Sequence, residues 1–161
     1  MIWALLIIST FASVASTVNI EVRGIVSEAA CELKSRDYFI DFKKVYFPIS
    51  NAQQVSGWEP FSIELINCPS YIKNVKLIFN GTPDTTNPDY FLNTGSSKST
   101  ALELHDVENN MSITNGRIIT KSVNPNTRSA IYPLSARVVG YGGIVNTGSF
   151  QSRVMFSINY N

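Results

Sequence analysis

Few side chains in this 161-residue sequence could carry out chemistry, and their spacing narrows what that chemistry could be. There are two cysteines, Cys31 and Cys68, and a single histidine, His105, followed by Asp106. One histidine and two cysteines cannot assemble a zinc cluster from those side chains alone. His105-Asp106 is the one hint of acid–base chemistry, but a catalytic triad needs convergent partners that the sequence does not offer. His105 is expected in an exposed loop at the end of a strand. The acidic residues are scattered, so no paired-carboxylate site follows from spacing. Gly140-Tyr141-Gly142-Gly143 lacks the Lys-Ser/Thr and the strand-to-helix context of a phosphate loop. It is expected to form the hairpin between the last two strands. Trp58, Tyr71, Tyr90 and Tyr141 could contribute to a sugar-binding face, although scattered aromatics are more often core or edge residues. No catalytic residue, metal site or cofactor is assigned, and an enzyme is not expected.

The elements that position these residues follow from composition and pattern. The length suits one domain. Hydrophobic residues make up 44% and aromatic residues 11% of the chain, enough apolar surface for a packed core and too much for a disordered chain. Thirteen Lys and Arg against twelve Asp and Glu give a net charge of +1, which excludes the clustered positive charge of a nucleic-acid or polybasic membrane-surface protein.

Residues 1–11 (MIWALLIISTF) are almost wholly apolar and precede a small-x-small pattern, Ser13-Val14-Ala15. The run is shorter than the roughly 20 residues that span a bilayer, and reads as a signal peptide, residues 1–15, although no Lys or Arg precedes it. The competing reading is a buried core segment. Export places Cys31 and Cys68 in an oxidising compartment, where an even pair is expected to form a disulfide rather than two buried thiols.

Beyond the leader, apolar residues alternate with polar ones and no helical stripe is found. Alternating runs cover residues 18–26, 38–42, 61–65, 75–79 and 150–160, with shorter apolar runs at 90–92, 101–104 and 131–139. Clusters such as Asn93-Thr94-Gly95, Asn115-Gly116 and Asn124-Pro125-Asn126 separate them as turns. Short strands at near-regular spacing predict an all-β sandwich in a single domain. The runs at 18–26 and 150–160 admit two readings: ordinary paired strands, or strands made to pair with another chain.

Several of these segments, taken in order, resemble the pilin subunits of the chaperone–usher pathway, in particular type 1 fimbrial subunits. An alternating VNIEVRGIV (residues 18–26) is followed by Cys31; FSIELINC (61–68) is similar to the family's F-x-I-x-L-x-x-C; VKLIFNG (75–81) is similar to its V-x-F-x-G segment. ALEL (101–104) resembles a mid-chain strand, and Gly148, an alternating tail and a penultimate Tyr160 resemble its C-terminal signature. The resemblance implies an incomplete immunoglobulin-like sandwich lacking its last strand, completed by a donor strand from another chain. Residues 16–27 would be the donor extension, with Val18, Ile20, Val22, Gly24 and Val26 filling a neighbour's groove, and residues 28–161 the pilin domain. Gly148, Phe150, Val154, Phe156, Ile158 and Tyr160 would form the edge of the acceptor groove, with Ser152 a polar departure in that row. Cys31–Cys68 would tie the first strand of the body to the second.

The implied partners are a periplasmic pilus chaperone, an outer-membrane usher and neighbouring pilins on both sides. The implied route runs through the periplasm to a fimbrium on the bacterial surface, supporting adhesion. In that setting Asn80-Gly81-Thr82 and Asn110-Met111-Ser112, which match the glycosylation pattern, are coincidental. The alternative from another class is a stand-alone secreted immunoglobulin-like binding module for a carbohydrate or protein ligand.

Overall fold

The computed structural model describes Arg23 and residues 30–47, 54–141 and 145–160. Among these the regular structure is entirely β: β1 (Glu32–Leu33), β2 (Gln54–Val55), β3 (Glu59–Ile66), β4 (Asn74–Gly81), β5 (Phe91–Leu92), β6 (Thr100–Asp106), β7 (Met111–Ile113), β8 (Ile118–Ser122), β9 (Ala130–Gly140) and β10 (Val154–Tyr160). The signal peptide and the donor residues Val18, Ile20, Val22, Gly24 and Val26 lie outside the described residues.

The strands form two antiparallel layers. The larger sheet runs β1-β3-β9-β6-β5, with β2 beside β3 on the same edge of β9 and β7 beside β5 on the far edge of β6. The smaller sheet is β10-β4-β8. Alternation decides which side chains enter the space between them. Ile63 and Leu65 of β3, Val75, Leu77 and Phe79 of β4, Leu102 and Leu104 of β6, and Tyr132, Leu134, Ala136 and Val138 of β9 form the buried core. The Tyr132 hydroxyl crosses it and donates to the Val75 carbonyl at 2.8 Å, joining the two sheets. Asn115-Gly116 turns the chain into β8, and Gly116 takes φ +79°, a conformation that suits glycine.

Cys31 and Cys68 are disulfide-bonded. The bond joins the residue before β1 to the loop just after β3, two strands already paired through Glu32–Ile66 and Leu33–Leu65. β2 intervenes in the chain, so the bridge ties the first strand to the third.

Four expectations are corrected. The last two strands are not joined as a hairpin around Gly140-Tyr141-Gly142-Gly143, because β9 ends at Gly140 in the larger sheet while β10 lies in the smaller one; Gly142 and Gly143 fall outside the described residues. Period-2 patterning reports a face and not a layer. The alternating residues 38–42 form no strand: Tyr38, Ile40 and Phe42 turn inward and Phe39 and Asp41 outward, but no ladder is made among the described residues. β10 starts at Val154 rather than Phe150, because residues 149–151 bond irregularly to residues 93–97. His105 sits within β6, half-buried, not in a loop. β7 and β8 carry no alternating apolar run long enough to read in the sequence.

Candidate functional site: an open groove beside the last strand

β10 is paired residue by residue with β4, from Val154 opposite Gly81 to Tyr160 opposite Val75. Its other edge has no strand neighbour among the described residues. Beyond that edge lies a groove of about 1780 Å³. One wall is β10; the other is the unpaired segment 36–47; the floor is Phe61, Ile63, Phe79, Leu102, Leu104 and Val138.

The two walls meet through aromatic side chains. Tyr38 packs against Phe61 and Phe156 with ring centroids 6.2 and 6.4 Å apart, and Phe42 meets Phe150 edge-on at 5.9 Å. Val154, Phe156 and Ile158 face the groove and Tyr160 continues their row; all four are only half-buried, while Met155 on the opposite face is 64% exposed. An unpaired edge leaves backbone donors and acceptors to water and the inward row half-wetted, both of which an added strand would reverse.

Each end of β10 is fixed differently. At its C-terminal end the Tyr160 hydroxyl donates to the Cys31 carbonyl at 3.3 Å, and burial pushes that phenol above its usual range. At the other end the Thr94 amide donates to the Gln151 carbonyl at 2.7 Å, and the Gln151 amide to Asn93 Oδ1 at 2.9 Å. Gly148 lies in this crossing, where a Cβ would run into the Ser96–Ser97 backbone. Of the residues expected at the groove edge, Val154, Phe156, Ile158 and Tyr160 lie on β10, and Phe150 continues their inward row. Gly148 instead sits in the connection leading to it.

The residues that suggested other chemistry do not converge. His105 and Asp106 are successive strand residues, so their side chains leave opposite faces. His105 pairs with Asn110 Oδ1 at 3.1 Å, whereas Asp106 accepts from the Glu108 and Asn109 amides and from Asn109 Nδ2. Trp58 lies under the Arg137 guanidinium, 4.3 Å from its centroid, and beside the His105 ring at 5.2 Å; Arg137 also donates to Glu103 at 2.6 Å. Sequence spacing gave no signal for this cluster, because its members come from β6, β9 and the residue just before β3, which are distant in sequence. Tyr141 is raised to about 12, first by burial and then by its hydrogen bond to Asp84. Among the described residues no three potential metal ligands cluster, and no helix is long and apolar enough to cross a membrane.

These observations define a two-layered antiparallel β-sandwich with a largely apolar groove along the outer edge of its last strand. Residues 18–161 match the model of the fimbrial protein family, and the chain belongs to that family of structural, surface pilus subunits. It is 29% identical over 143 residues to the uncharacterized fimbrial-like protein YdeR of Escherichia coli (strain K12), covering 87% of this chain and 83% of that one. The fold is similar to that of the P pilus rod subunit PapA (TM-score 0.70, 20% identity, 83% of this chain and 100% of that one). It is also similar to a chaperone–usher pilus subunit from a structure concerned with rod uncoiling (TM-score 0.69, 21% identity, 91% and 96%). A third likeness is to the Burkholderia pseudomallei antigen and type I fimbria protein BPSL1626 (TM-score 0.59, 24% identity, 83% and 91%).

Proposed function

We propose that the chain polymerises within a chaperone–usher fimbria by donor-strand exchange. The observation that carries this is the edge of β10 that has no strand neighbour among the described residues, with a half-exposed apolar row above an apolar floor. A donor strand in the groove would hydrogen-bond along β10 and cover Val154, Phe156, Ile158 and Tyr160. Burying each side chain fully is worth about 1.5–3 kcal/mol. That strand addition completes pilins is a known mode of recognition.

In this reading residues 1–15 are a signal peptide that delivers the chain to the periplasm. A chaperone covers the groove there, and an usher exchanges the covering strand for the extension of the next subunit. Residues 16–27 are the chain's own donor, with Val18, Ile20, Val22 and Val26 as the filling side chains and Gly24 at a level where none fits. Residues 28–161 are the acceptor body. Each subunit gives one strand and receives one, which makes a head-to-tail, non-closing polymer that supports adhesion.

Deleting residues 16–27 tests the donor role. The shortened chain is expected to retain its chaperone complex but to vanish from assembled fimbriae as an acceptor's next neighbour. Undiminished incorporation of the deletion variant would contradict the reading.

A further inference from the structure

The sandwich has two ends, and each carries an exposed tyrosine. Of the seven tyrosines only Tyr46 and Tyr71 are exposed, at 80% and 61%. Tyr71 stands three residues beyond Cys68 and so lies within about 11 Å of it, close to Cys31 and to the Tyr160 end of β10. Its turn is firmly held. The Ile72 amide donates to the Pro69 carbonyl at 3.1 Å, Lys73 Nζ donates to the Ser70 carbonyl at 2.8 Å, and the Ile72 side chain is buried. The turn 124–128, closed by the Arg128 amide donating to the Asn124 carbonyl, is tied to the same place, because Arg128 Nε donates to the Cys68 carbonyl at 3.1 Å.

Tyr46 lies at the other end. In the chain it falls between Phe42, which meets Phe150, and Gln54, which stands opposite Gly140. It lines the groove together with Asn146, Thr147 and Ser149, all of them exposed. β10, from Val154 to Tyr160, sets the two ends about 20 Å apart.

The donor-strand reading above, on which this inference rests, decides which ends meet. Four residue steps separate residue 27, the last of the donor segment, from Cys31 in the body. Fully extended, they reach about 14 Å. A copy that gives its segment therefore holds its Cys31, with Tyr71 and the turn 124–128 beside it, against one end of its neighbour's groove. The neighbour's Tyr160 end is taken, because the neighbour's own segment leaves from Cys31 there. The end lined by Tyr46 is the one left. We propose that the Tyr71 end of one copy docks on the Tyr46 end of the copy that accepts its segment, with the two tyrosines as anchors of this body-to-body contact. The two surfaces differ, so the contact is heterologous and repeats without closing. Tyr71 suits the task, because a large amphipathic ring on a fixed turn is buried with little entropy lost.

The test places the photo-crosslinking residue p-benzoylphenylalanine at position 71 or position 46 of the full chain, irradiates the assembled fimbriae, and identifies the joined peptides by mass spectrometry. Position 71 is expected to join residues 45–46 or 145–149 of another copy, and position 46 to join residues 69–73 or 124–128. Both products should be lost when residues 16–27 are deleted. Assembled fimbriae in which neither position joins another copy, or in which both join other segments, would overturn the contact and leave donor-strand exchange standing. Products formed only with a different protein would overturn a second copy as the partner. Undiminished assembly of the deletion variant would overturn the donor-strand reading itself, and this contact with it.

Discussion

β4 and β10 lie side by side, antiparallel, with the same alternation of apolar and polar residues, yet they are buried to different depths. The inward side chains of β4 are sealed: Val75 and Leu77 are 0% exposed and Phe79 2%. Those of β10 are all half-buried. β4 has β8 on one side and β10 on the other; β10 has only β4 among the described residues. The difference therefore lies in neighbours and not in the strands' own sequences. Two strands equally fit for a core are finished to different degrees, and the unfinished one borders the groove.

The largest expected effect concerns the groove's second wall. Cys31–Cys68 closes a sequence separation of 37 and ties the chain just before β1, which leads into segment 36–47, to the loop after β3. Replacing both cysteines with serine is expected to cost about 4 kcal/mol in urea unfolding. Leu77→Ala on the sealed strand comes next, at about 3 kcal/mol, because it opens a cavity between two complete layers. Ile158→Ala, at the paired position on β10, sharpens the contrast. It is expected to cost under about 1 kcal/mol in the chain alone and about 2–3 kcal/mol once a strand fills the groove. Equal costs at Leu77 and Ile158 in the chain alone would break the comparison.

The smallest effect is a pH dependence. The fold favours the neutral phenol of Tyr132, pushed up chiefly by burial, and of Tyr141, raised to about 12. A group whose pKa is raised on folding stabilises fully below its unfolded value and loses that contribution as pH climbs through the folded one. Stability should therefore hold up to about pH 10 and fall between there and about pH 12. Tyr132→Phe should flatten part of that fall, while leaving the Val75 carbonyl without its partner at a neutral-pH cost of about 1–2 kcal/mol.

Much of the sandwich was legible in the sequence because alternation is a local record of which face is wet. Residues 61–65, 75–79, 101–104 and 131–139 fall in β3, β4, β6 and β9. Alternation does not record partners. Residues 38–42 carry a strand's pattern and inward face without a ladder among the described residues, and β9 and β10 lie in different layers where a hairpin between them was expected. β8, the far edge of the smaller sheet, was missed because Ile118-Ile119 opens a run that turns polar at once. The groove's inward row could be read from spacing as far as Tyr160. Ser152 shows there as a break in the row, but the facing of Thr100 and Gln54 across Gly140 does not, because it is made by register between strands distant in sequence.

Hydrogen exchange along β10 tests the open edge most directly. In an antiparallel strand successive amides point to opposite edges. In the chain alone, every second amide from Val154 to Tyr160, those aimed at β4, should be protected, and the alternate ones should exchange rapidly. All of them should become protected when residues 16–27 are fused to the chain's end. Uniform protection of both sets in the chain alone would contradict the account, because β10 would then already have its second neighbour.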